Sequence, residues 1–181
     1  NRTKGLVMSD SGHVNSEALD ESDPWWGRYV ADPWAGSTEV TITAVAHEPQ
    51  GLVLAALRGA LAAALADRWP VGGSSKPQRD DSQSVAITGI GSDLESLAEA
   101  LLDEMLAQAE LHGPGLDHVR MDGMLETESR GYSAWGYLVG RTDQGSGLDV
   151  RLRGRPELHH RVDEDSPALA LTFTVTRSAT S

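Results

Sequence analysis

The apolar residues of this chain change period at residue 49 and then change back, and few arrangements of secondary structure accommodate that order. In "EVTITAVA", residues 39–46, Val40, Ile42, Ala44 and Ala46 alternate with polar neighbours, the two-residue period of a half-buried strand. From Pro49, "PQGLVLAALRGALAAALAD" places Leu54, Leu57, Leu61 and Leu65 on one stripe of an alanine-rich helix that ends before Pro70. "VGGSSKPQRDDS" then reads as a loop, and "QSVAITGI" restores the strand period. A second helix follows in "SDLESLAEALLDEMLAQAELHG", with Leu94, Leu97, Leu101 and Met105 on its apolar stripe. Ser92 and Glu95 fit a capping box at its start, and Gly113, Pro114 and Gly115 stop it. The remainder reads as strands over roughly 116–126, 131–141, 147–153 and 168–177. This order predicts an α+β domain in which two helices pack on a mixed or mainly antiparallel sheet.

The 181 residues suffice for one core without staples, and there is no cysteine to form a disulfide or a zinc-thiolate site. Residues 1–36 lack a sustained apolar period and read as an N-terminal extension or arm, with Met8 as a natural start and 1–7 as residues upstream of it. The domain then covers 37–177, and 178–181 form a tail. The longest apolar stretch runs about fifteen residues and is interrupted by Arg58, short of the roughly twenty a membrane helix needs, so no membrane span and a cytoplasmic location are expected. A formal charge of −12 opposes long-range attraction to polyphosphate, and direct DNA binding is not expected.

Four features stand out against this background. The arm concentrates four of nine aromatic residues in "DPWWGRYVADPW", residues 23–34. Packing of Trp25 or Trp26 and of Trp34 on the domain, with "WGRYVADPW" as a strand over an open sheet edge, is the expectation, because burial of such rings is strongly favourable. Glu95, Glu99 and Asp103 recur every four residues opposite the leucines of the second helix, either as a solvated face or as a docking surface for a basic partner. "LDVRLRGRPELHHR" concentrates Arg151, Arg153 and Arg155 in a chain with two lysines; alternation sends the arginines outward, to guard an edge strand or to contact phosphate. The adjoining "HHRVDED" reads as a solvated loop. No nucleophile motif, zinc helix, P-loop or dinucleotide fingerprint is present, so an accessory protein rather than a catalyst is expected.

Across roughly residues 37–176 the chain resembles the archease family, accessory proteins of the ligases that join RNA ends through a 3′-phosphate. "GSDLESLAEALLDEML" is similar to that family's strand-to-helix passage, "STEVTITAVA" to its opening strand, "SAWGY" to a later strand and "ALALTFT" to one near its end. The resemblance implies an archease-like fold and an accessory that assists an RNA ligase in guanylylation or metal loading during tRNA splicing or RNA repair. It also implies a divalent metal such as calcium, for which Glu39 aligns with a family ligand. Departures stand beside these matches. Ser37 replaces the opening histidine, Tyr137 replaces a glutamate, Thr174 replaces a histidine, and the family's last strand with its carboxylate has no counterpart. They point to an alternative, a diverged protein-interaction or structural module without ligase activation or metal binding.

Overall fold

A computed structural model describes residues 20–32, 34, 36–66, 83–113, 115–129, 131–141, 149–163 and 165–178. The readings of the first nineteen residues and of the loop at 71–82 fall outside them. The described elements run β1 (Arg28–Ala31), β2 (Glu39–Ala46), α1 (Pro49–Leu65), β3 (Gln83–Gly91), α2 (Leu94–His112), β4 (Leu116–Glu126), β5 (Tyr132–Gly140), β6 (Val150–Asp163) and β7 (Ser166–Arg177). Two antiparallel sheets result, one ordered β1-β2-β7-β6 and the other β3-β5-β4. The α+β class follows as the alternation of periods predicts, with the strands divided between two sheets instead of one.

Each sheet turns one face to the helices. On β2 the buried residues facing the helices are Val40, Ile42, Ala44 and Ala46, paired across to Val175, Phe173, Leu171 and Leu169 of β7, while Val45 is buried on the opposite face with Ala168 and Ala170. Helix α1 packs on β2, β7 and β1 and also meets α2 and β4. It is therefore buried on almost every side, which its run of leucine and alanine permits. Helix α2 lies on β3 and β5 and reaches β6, burying Leu97, Leu101, Leu102 and Met105 while its other face stays polar. Among the described residues no polar or charged residue is buried, and no helix is long and apolar enough to cross a membrane.

The N-terminal arm lies on this core. Its strand is four residues long, shorter than "WGRYVADPW", and β1 pairs along β2 at the sheet edge with Tyr29 opposite Ala44. Trp34 is buried, and its indole Nε1 donates to the Ala63 carbonyl at 2.8 Å near the end of α1. Trp25 and Trp26 are half-buried; Trp25 packs on the core, whereas Trp26 stacks on His47 with ring centroids 4.9 Å apart. The arm needs two gaps in α1. A Cβ at Gly51 would strike the Trp26 carbonyl, and one at Gly59 would strike the Tyr29 ring and Ile42.

Two further readings are corrected. The strand expected over 147–153 is described from Val150 and continues past 153 to Asp163, so the histidines and Arg161 of "HHRVDED" belong to a strand and not to a loop. His159, His160 and Arg161 pair with Ala170, Leu169 and Ala168 of β7. The hairpin closes with Asp163 opposite Ser166, and Asp165 takes a left-handed conformation that aspartate tolerates. The capping box at Ser92 and Glu95 is also displaced by one residue. The N-cap is Asp93, whose carboxylate accepts from the Ser96 amide at 2.7 Å.

Candidate functional site

Strand β6 is an edge strand, and its polar residues are set by alternation until a bulge interrupts it. Arg151 and Arg153 pair with Thr176 and Thr174 on the face of the sheet turned away from the helices. Between Arg153 and Glu157 the register shifts, and Gly154 there has φ +73°, a conformation that favours glycine. The bulge turns Arg155 toward the start of α2. Its Nη2 donates to both Asp93 oxygens at 3.0 and 2.8 Å and to Ser96 Oγ at 3.0 Å, and Glu95 lies 3.6 Å away. One guanidinium thus ties a sheet edge to a helix N-terminus.

Asp93 is the centre of this group. Hydrogen bonds from the Ser96 hydroxyl and amide hold its carboxyl below the ordinary range; desolvation opposes them, and the Arg155 hydrogen bond and charge add lesser contributions in the same direction as Ser96. The three acids singled out on α2 separate in role. Glu95 reaches Arg155, whereas Asp103 has its pKa raised by desolvation and by the charge of Glu99 one turn earlier.

The other end of β6 makes a second ion pair. Glu39, at the start of β2, lies opposite Thr176, and Arg153 spans the intervening strand to its carboxylate. Arg151 Nε stands 3.7 Å from Asp149. The surface between carries threonines in register, with Thr41 and Thr174 hydroxyls 3.3 Å apart and Thr43 and Thr172 3.5 Å apart. The structure therefore brings Glu39 to Arg153, and Asp93 and Glu95 to Arg155, while Glu99 and Asp103 stay apart from the arginines. Sequence reasoning missed Asp93 and Ser96; the signal was the Asp-Leu-Glu-Ser order, which fits an N-cap at Asp93 as well as at Ser92.

These residues do not fit a divalent metal. Glu39 is engaged by a guanidinium, and among the described residues no group of three or more His, Asp or Glu is placed to hold one. The paired charges can fix the sheet edge and present alternating signs to another surface.

Fold and surface together define an α+β domain of two antiparallel sheets with a charge-paired edge. No family model matches the sequence, and no curated protein does. A solved structure similar to it is the solution structure of protein 1598 of Methanobacterium thermoautotrophicum, at 14% identity and a TM-score of 0.46, covering 84% of this chain and 99% of that one.

Proposed function

We propose that this chain is an archease-like accessory module that works through contact with another protein, the partner implied by the resemblance being a 3′-phosphate RNA ligase. The observation that carries the contact reading is the engagement of Glu39 by Arg153. A divalent cation at Glu39 would have to displace that guanidinium, and adjacent positive charges repel. The sequence most similar to the family, at 91–106, forms the capped entry of α2 that Arg155 ties to β6, so the resemblance falls on the built part of the surface.

The departures from the family and the same ion pair favour a second reading, in which the module keeps the fold and serves a different partner. Multiple-turnover ligation by a cognate 3′-phosphate ligase separates them. Contact-based assistance predicts stimulation by the purified protein that survives Glu39→Gln and needs no metal beyond what the ligase requires. Stimulation that Glu39→Gln abolishes would restore metal loading, and no stimulation leaves the diverged module.

A further inference from the structure

The β3-β5-β4 sheet has an outer face that no described helix or strand covers. Its cross-strand rows bring Ile90 and Leu125 to either side of Ser133, and Trp135 between Thr88 and Gly123. Ile90 is 80% exposed, Leu125 59% and Trp135 38%, so three of the chain's exposed large apolar residues occupy two adjacent rows. The indole lies across Gly123, where a Cβ would collide with it. Tyr137 follows in the next row under the Arg120 guanidinium, 5.3 Å from the ring centroid. Apolar residues scattered singly need no explanation, but contiguous ones on an open face mark a contact surface.

We infer that this face docks a basic amphipathic helix of a partner protein, its apolar stripe on Ile90, Trp135 and Leu125 and its cations toward the β4 edge. Charge points to that occupant. Along β4 Asp117 is bonded to His118 and Asp122 to Arg120, with Glu126 at the end of the strand, which leaves a local charge of −2 in a chain of −12. A cationic segment is attracted at long range and paired at the rim. Size points the same way. Three strands about 4.8 Å apart and roughly 30 Å long present on the order of 400 Å², about half of the ~800 Å² per partner that a stable interface between two globular chains needs. A second copy would also bring its own −12. One helix about 10 Å wide matches the breadth of the three strands.

The inference extends the contact reading by naming a face, and it rests on that reading only in taking the partner to be a protein. Its test does not involve a ligase. The 181-residue chain is titrated with a synthetic leucine-lysine amphipathic helix of about five turns, its leucine-glutamate counterpart, and an oligouridine. The leucine-lysine peptide is expected to bind, and the double substitution Ile90→Lys with Leu125→Lys to weaken it at least tenfold, with unchanged circular dichroism and melting temperature. Val162→Lys, at a residue 71% exposed on β6, is expected to leave binding unchanged. Equal binding by the double variant or by the leucine-glutamate peptide would overturn the proposal. So would oligouridine binding that the double substitution abolishes, which reassigns the face to RNA, or a dimer that it dissociates in sedimentation, which reassigns it to a second copy.

Discussion

At Asp93 a single carboxylate closes the start of a helix and receives an arginine from 62 positions away. Its pKa is depressed, so its stabilisation is present above the ordinary carboxylate value and is lost as pH falls through the lower folded-state value. Asp93→Ala is expected to cost about 1 kcal/mol at neutral pH, the usual loss for an N-cap. Asp93→Asn is expected to cost less, because its amide oxygen still accepts from Ser96, and its deficit should shrink in urea titrations stepped down in pH below the ordinary carboxylate range, as the wild-type carboxyl takes up its proton. Asp103 has the opposite sign. With its pKa raised by partial desolvation and by Glu99, its ionised form is disfavoured in the fold; because the residue is exposed and the effect screened, Asp103→Asn should add at most a few tenths of a kcal/mol at neutral pH and nothing once both carboxyls are protonated. Residue identities alone place a cap within one position of Asp93, since serine and aspartate both cap; the hydrogen bond from the Ser96 amide to the Asp93 carboxylate decides between them.

At the scale of elements, legibility tracked apolar period. Helix α1 and strand β2 carry theirs unbroken, and α2 places its leucines every three or four residues, so all three are readable from the sequence. Strand β6 is not, because its second half, "ELHHRVD", is mostly polar with only Leu158 and Val162 apolar, and it owes its length to the hairpin with β7. The pairing of Glu39 with Arg153 was equally hidden. Both residues are recognisable as charged strand positions, but only the order β2-β7-β6 places one strand between them. Gly51 and Gly59 gave a signal within reach of sequence reasoning. Two glycines in an alanine-rich helix each cost up to about 1 kcal/mol relative to alanine, so a close neighbour is implied. Gly51→Ala should therefore raise stability if α1 stood alone there, and lower it if the Trp26 carbonyl occupies the space. A lower melting temperature with faster amide exchange in Arg28–Ala31 is the expected result.

For the molecule as a whole, the arm does two separable things. Strand β1 covers the outer edge of β2, and Trp34 fills a site against Ala63, with the Arg177 guanidinium 4.5 Å over its ring. An open β2 edge would expose a row of unpaired backbone groups, a template for association with other chains. A missing Trp34 would leave a cavity without opening that edge, since Arg28–Ala31 would still pair with Ile42–Val45. The two losses can be told apart. Trp34→Ala is expected to cost on the order of 3 kcal/mol in urea unfolding, while the protein keeps its sedimentation coefficient at all concentrations. Deletion through residue 36 should lower stability at least as much and also introduce concentration-dependent self-association, because it removes both the ring and the covering strand. A deletion variant that stays unassociated would show that the edge needs no cover, and a Trp34→Ala variant that associates would show that ring burial is what holds β1 in place.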